Sequence, residues 1–227
     1  MSFRKFLAVS AAAAVVMTAG AASAADAESC KPVRLSDVGW TDIQATTGVA
    51  TVLLSALGYQ PEVIQLSVPV TYASLKNNDL DVFLGNWMPS MTADIAEYSA
   101  DGSVETISQN LEGAGYGLVV PNYVAEGGVK SLTDIGKFKD KFDSKIYGIE
   151  AGNDGNRIIL DMIANPASNL EGFDLVESSE AGMLTEAENA IKEQKWIVFL
   201  GWTPHPVMGE MPITYLDGMG DSGFGAA

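Results

Sequence analysis

The sequence has 227 residues, of which 47% are apolar, and it carries a formal net charge of -16. This apolar fraction is enough to build a core, either as one large domain or as two smaller ones. The negative charge argues against nucleic acid as a partner, because a polyanion would be repelled, whereas a small cation would be attracted.

The first 24 residues have the pattern of an export signal. Arg4 and Lys5 precede an alanine-rich apolar stretch, and an Ala-Ser-Ala cleavage motif follows at residues 22–24. The stretch is shorter than the roughly 20 apolar residues that a membrane span needs. We therefore predict cleavage before Ala25 and a mature chain outside the cytoplasm. Loss of two basic residues changes its net charge from -16 to -18.

Strand-like and helix-like segments alternate after the signal, which predicts a mostly parallel sheet covered by helices. In the first half we predict strands at 33–38, 62–66 and 82–84, and helices ending at Gly58 and spanning 69–77. In the second half we predict strands at 146–150, 173–177, 196–200 and 212–216, and helices at 156–163 and 179–194. Ser131 with Asp134 has the pattern of a capping box that opens a further helix.

A turn-rich connection at residues 111–117 predicts a boundary between two units. We assign residues 1–24 to the signal peptide, 25–113 to a first lobe, 114–216 to a second lobe and 217–227 to an irregular tail. The tail has no hydrophobic pattern that predicts packing, and the chain reads as truncated there.

Three of the four tryptophans follow strand-like runs that break at their far end. Trp40, Trp87 and Trp202 come after such runs, and the last two runs share the letters Val-Phe-Leu-Gly. Ligands of open α/β sheets bind beyond the carboxyl ends of the strands, so three rings there predict an aromatic pocket. Trp196 lies within a strand-like run, and we assign it to the core.

Aromatic rings and a negative charge together suit a quaternary ammonium ligand. Such a group donates no hydrogen bond, so a protein holds it with π faces, contacts to its methyl groups and a nearby carboxylate. The sequence thus favours a binding pocket for a small cation.

Catalytic and metal sites are hard to build from these residues. His205 is the only histidine and Cys30 the only cysteine, so neither a zinc site nor a Cys/His pair can be argued, and we expect no metal, cofactor or enzymatic activity. His205 lies between two prolines, where we expect a rigid turn residue. Residues 152–156 stand where a phosphate loop would, but Asp154 argues against an anion there. The unpaired Cys30 indicates that its partner is absent from this chain.

Four motifs, at residues 37–43, 85–89, 147–154 and 199–206, resemble the substrate-binding proteins of glycine betaine and choline ABC importers. They read DVGWTDI, GNWMP, YGIEAGND and FLGWTPHP. The resemblance implies an α/β, two-lobed periplasmic binding protein fold of type II, with a sheet flanked by helices in each lobe. Members of that family continue further and return to the first lobe, so we expect the first lobe of this chain to be incomplete.

The resemblance also implies a ligand site. It would make a choline cage from four rings with two polar contacts: Trp40, Trp87, Tyr116 and Trp202, with Asp42 and Asn153. The Asp42 carboxylate would accept the hydroxyl of choline and repel the carboxylate of glycine betaine. We therefore expect choline to bind in preference to betaine, with acetylcholine as a weaker ligand.

The expected function is that of a monomeric periplasmic substrate-binding protein that delivers choline to the permease of an ABC importer in the inner membrane. One alternative is a binder of glycine betaine or a related quaternary ammonium compound. A less favoured one is an exported choline-ester hydrolase, whose catalytic groups would lie outside this sequence.

Overall fold

The computed structural model describes residues 27–220 and 222–225. The signal predicted at residues 1–24 lies outside the described residues. Within the described ranges, no helix combines the length and the apolar composition needed to cross a membrane.

The described chain alternates strands and helices, as the sequence predicts. Its strands are β1 Pro32–Asp37, β2 Gln60–Gln65, β3 Val82–Phe83, β4 Gly115–Pro121, β5 Lys145–Tyr147, β6 Asp174–Val176, β7 Phe199–Thr203 and β8 Ile213–Tyr215. Its α-helices are α1 Thr41–Ala56, α2 Val68–Lys76, α3 Thr92–Ala100, α4 Asn122–Glu126, α5 Leu132–Ile135, α6 Asp154–Ala164, α7 Glu180–Lys192 and α8 Val207–Glu210.

The first lobe, here the part of the chain before β4, contains a three-stranded sheet in the order β2-β1-β3. All its pairings are parallel, and β1 pairs with β2 over six residues. Parallel neighbours need crossover connections, and α1 and α2 supply them. The parallel arrangement predicted for this half is confirmed.

Helix α1 begins directly after Trp40 and buries only a narrow face. Ile43 and Thr47 are its buried residues. Its outer face carries exposed apolar side chains, which are Val49, Val52 and Leu53, with Leu57 just beyond the helix. Part of the apolar surface of the first lobe is therefore exposed.

The second lobe, from β4 onward, contains a five-stranded sheet in the order β6-β5-β7-β4-β8. Strand β5 is parallel to β6 and β7, but β4 is antiparallel to both β7 and β8. The prediction of a mostly parallel sheet is wrong for the part of this sheet that β7, β4 and β8 form. Strand direction depends on how β4 enters from the first lobe, and local periodicity carries no information about that.

The structure shifts the predicted strand at residues 196–200, so that Trp202 belongs to the strand and Trp196 does not. Strand β7 pairs with β4 from Phe199 to Thr203, so Trp202 lies inside the strand and Trp196 before it. Trp196 packs between the rings of Phe138 and Phe142. Cross-strand pairing decides where β7 begins, whereas an apolar run alone does not.

Helices α3, α4 and α8 were not predicted, because they are short or have weak hydrophobic periodicity. The capping box at the start of α5 is confirmed, with the backbone N–H of Ser131 donating to Asp134 Oδ2 at 3.0 Å.

The tail is irregular, yet two of its described residues are buried against the second lobe. Met219 and Phe224 each expose only 3% of their surface. The Phe224 ring meets the Tyr116 ring edge to face, with 5.1 Å between centroids. The expectation that this segment does not pack is wrong: single apolar residues among glycines show no periodicity but can still fill local gaps in a surface.

Candidate functional site

A small pocket lies where the two lobes meet. Five of the six predicted site residues line it, together with two residues that were not predicted to contact a ligand. The lining residues are Trp40, Trp87, Tyr116, Ile149, Asn153, Asp154 and Trp202.

The pairing of β4 with β7 brings two of the rings together. Tyr116 and Trp202 are direct cross-strand partners, so their side chains stand on the same face of the sheet. Their ring centroids are 6.3 Å apart at an angle of 83°. Trp87 joins them from the first lobe, 5.8 Å from the Tyr116 ring. Three rings thus form one continuous aromatic wall.

Two tryptophans are held by carboxylates across the lobe interface. Trp40 of the first lobe donates its indole N–H to Glu150 Oε1 of the second lobe at 2.9 Å. Trp202 of the second lobe donates to Asp42 Oδ1 of the first at 3.0 Å. These reciprocal hydrogen bonds fix the ring edges, and they also join the lobes.

Burial raises the pKa of both anchoring carboxyls, Asp42 and Glu150, while the indole hydrogen bonds oppose the rise. Asp42 does not line the cavity itself, and the described contact of its side chain is to the Trp202 indole. Its predicted contact with a ligand therefore stays a prediction.

Glu180 forms a further contact across the interface. It accepts hydrogen bonds from the backbone N–H of Thr41 at 2.9 Å and from the Thr41 hydroxyl. His205 completes the group, with Nε2 3.0 Å from Glu180 Oε1. Burial raises the pKa of Glu180, but the hydrogen bonds from His205 and Thr41 outweigh it, and the pKa lies below its usual value.

The protonation of His205 follows from its two neighbours. Its Nδ1 accepts the backbone N–H of Val207 at 3.0 Å and so carries no proton. Nε2 therefore donates to Glu180. His205 positions Glu180 and the following turn, in agreement with the turn role that the flanking prolines predict.

Asn153 is the N-cap of α6. Its Oδ1 accepts from the backbone N–H groups of Gly155 and Asn156 at 2.8 and 3.2 Å, and the Tyr116 hydroxyl donates to the same oxygen at 3.3 Å. Its Nδ2 donates to Asp154 Oδ1 at 3.0 Å. Asn153 thereby fixes the edge of the Tyr116 ring while its own side chain lines the cavity.

Arg157 of the second lobe binds the first lobe. Its Nη2 donates to Asp94 Oδ2 at 2.7 Å and to the Ser90 carbonyl at 2.8 Å. Sequence reasoning missed this contact and those of Glu150 and Glu180, because the partners are far apart in the chain and follow no motif.

The described residues contain no cluster of histidine, cysteine and acidic side chains that could hold a metal ion. The arrangement of rings and carboxylates is suited to binding a small cation.

Known proteins share this arrangement of elements. A family model described as the substrate-binding domain of ABC-type glycine betaine transport systems matches residues 31–226. A solved ABC-transporter choline-binding protein in complex with choline is 55% identical, with a TM-score of 0.84 over 88% of this chain and 71% of that chain.

Two other relatives extend the comparison. The lactococcal OpuAC, in a closed-liganded conformation complexed with glycine betaine, is 27% identical, with a TM-score of 0.77 over 86% of this chain and 74% of that chain. An uncharacterized protein, ORF1 of Chromohalobacter salexigens, is 51% identical over 145 residues, which are 64% of this chain and 94% of that protein.

The α/β fold, with sheets flanked by helices, matches the type II periplasmic binding proteins, and the resemblance predicted from four sequence motifs is confirmed. The chain belongs to the family of substrate-binding domains of ABC-type glycine betaine transport systems.

Proposed function

We propose that the protein is a periplasmic receptor that binds choline between its lobes and delivers it to the permease of an ABC importer. The observation that carries this proposal is the convergence of four aromatic rings on one cavity: Trp40, Trp87, Tyr116 and Trp202. The similarity to a choline-binding protein solved with choline supports it. The predicted export signal supports the location, and we propose a monomer that acts without chemical turnover.

The rings can supply much of the affinity. Each ring that faces a desolvated cation contributes about 0.5–2 kcal/mol, so four contribute about 2–8 kcal/mol. Micromolar binding requires about 8 kcal/mol. Hydrogen bonding to the choline hydroxyl and the lobe contacts would provide the remainder.

The charges around the cavity favour choline over glycine betaine. Asp154 lines the cavity, and Asp42 and Glu150 bind the indoles of two lining tryptophans. The lining residues include no arginine or lysine that could pair with the carboxylate of betaine. Betaine would therefore bring a negative group among negative groups, whereas choline brings only its cation and a hydroxyl.

Glycine betaine remains the second candidate ligand, because the matching family model describes glycine betaine transport. Isothermal titration calorimetry with choline, acetylcholine and glycine betaine distinguishes the two. We expect choline to bind most tightly, acetylcholine more weakly and betaine weakest. Betaine binding as tightly as choline would contradict the proposed selectivity.

The hydrolase alternative is tested with a chromogenic choline ester. We expect the ester to hydrolyse no faster than it does in buffer alone, because the polar side chains of the site hold the aromatic rings by hydrogen bonds. Turnover that is blocked by choline would contradict a receptor without chemistry.

A further inference from the structure

Asp154 is a buried carboxylate whose role the contacts described above do not explain. Its side chain exposes only 1% of its surface. Oδ1 accepts the hydrogen bond from Asn153, but Oδ2 is buried and no described residue donates a hydrogen bond to it. The nearby Ser90 hydroxyl favours the charged carboxylate, but it donates its proton to the Trp87 carbonyl at 3.1 Å. A buried carboxylate oxygen with neither a hydrogen-bond donor nor a cation beside it is costly, so this oxygen calls for a positively charged partner.

No described cation pairs with Asp154. The charge of Arg157 acts on it, but Arg157 Nη2 is hydrogen-bonded to Asp94 and to a backbone carbonyl. The other titratable groups that influence or face Asp154 are acidic or phenolic: Asp94 on α3, Tyr72 on α2, Tyr116 on β4 and Glu150 after β5. A positive ligand would therefore not compete with an existing ion pair.

The location of Asp154 suits a counter-charge. It lines the same cavity as the four rings, and it is the first residue of α6, where the helix dipole favours a negative group. In an enclosure of low polarity, a carboxylate oxygen attracts a cation far more strongly than it does in water.

We propose that Asp154 is the counter-charge of the ligand's ammonium group, so that the cage binds a quaternary ammonium as an ion pair. This inference rests on the proposed function and adds a specificity-determining residue to it. The aromatic faces would hold the methyl groups, while Asp154 would distinguish the cation from an uncharged molecule of the same shape.

A pH dependence follows from this role. Burial raises the pKa of Asp154 to about 6; the nearby Ser90 hydroxyl opposes the rise and the charge of Asp94 adds to it. A cation bound beside the carboxylate lowers that pKa, so binding to the protonated form releases one proton. Affinity should thus rise with pH through about 6. With a pKa of about 6, the ionised fraction, and with it the affinity, is about tenfold lower at pH 5 than at pH 7.

Calorimetry on the full chain between pH 5 and 8 tests the proposal. The ligands are choline and its uncharged isostere 3,3-dimethylbutan-1-ol, and titration at pH 5.5 in buffers of different ionisation enthalpy counts the protons released. For the wild type we expect the tenfold pH step and proton release with choline, and neither with the isostere.

Asp154→Asn is the test variant, because it keeps the shape and removes the charge. We expect choline affinity at pH 7.5 to fall at least about tenfold, since loss of one partner of a buried charge pair is costly. The pH step should disappear, and affinity for the isostere should stay within about threefold. Asp161→Asn is the matched control on the exposed side of α6 and should leave the choline affinity and its pH profile unchanged.

Choline affinity in the wild type that does not change between pH 5 and 7 would overturn the inference, even if Asp154→Asn failed to fold. An Asp154→Asn variant that binds choline as the wild type does would also overturn it. Either result would leave the proposed function intact. A wild-type protein that binds choline at no pH between 5 and 8 would refute the proposed function and this inference together.

Discussion

Replacement of Trp87 by alanine tests the aromatic cage most directly. Trp87 supplies a ring from the first lobe and lies 5.8 Å from the Tyr116 ring. It is partly exposed, whereas Trp40 and Trp202 are buried, so its removal should disturb folding least.

The expected loss follows from the contacts that disappear. The cation–π contribution of one desolvated ring is up to about 2 kcal/mol, and the lost contact with the methyl groups raises the total to about 2–3 kcal/mol. At 1.4 kcal/mol per tenfold change, choline affinity should fall about 30- to 150-fold. The measurement is calorimetry at pH 7.5, with circular dichroism to follow thermal unfolding.

Trp196→Phe provides the matched control. Trp196 packs on Phe138 and Phe142 in the second lobe, away from the cavity, so we expect its choline affinity to match that of the wild type. A dissociation constant for Trp87→Ala within threefold of the wild type, in a folded protein, would remove Trp87 from the cage.

Three further substitutions test the lobe interface and the tail. Asp42→Asn keeps an acceptor for the Trp202 indole but removes the charge. The ratio of choline to betaine affinity should therefore fall about tenfold in parallel titrations. An unchanged ratio would contradict the role of Asp42 in selectivity. Arg157→Gln removes a partly exposed ion pair with Asp94 that contributes about 0.5–1 kcal/mol. Because this pair joins the two lobes in the ligand-binding arrangement, choline affinity should fall about two- to fivefold. Equal affinity would show that the pair does not stabilise that arrangement. Phe224→Ala should lower the free energy of unfolding by about 3 kcal/mol in urea titrations, whereas no change would show that the tail is not packed in solution.

The sequence predicted many of the strands and helices because alternating apolar runs are local features, whereas the arrangement of one sheet in each of two lobes came from the family resemblance. Strand β2 and helices α2, α6 and α7 lie within about two residues of the predicted bounds. The direction of β4 could not be predicted in this way, because it depends on pairing with β7 and β8, which lie about 80 or more residues away in the chain.

The site shows the same division. Trp40, Trp87 and Trp202 were predicted as pocket residues from the sequence, because glycine and polar residues after apolar runs mark the ends of strands where ligands bind. That reasoning misplaced Trp202, which lies inside β7 and lines the pocket through its pairing with β4. Tyr116 came only from the family resemblance. Its direct pairing with Trp202 is set by the antiparallel register of β4 and β7.

The sequence by itself therefore determined which rings this protein can offer to a cation. Only the tertiary structure decided how they are held and which carboxylate stays without a partner. The two indole hydrogen bonds join residues 110 and 160 positions apart. The unpartnered oxygen of Asp154 likewise depends on every group folded around it. Hydrogen bonding and burial at such separations are properties of the packed chain, and no local pattern of residues encodes them.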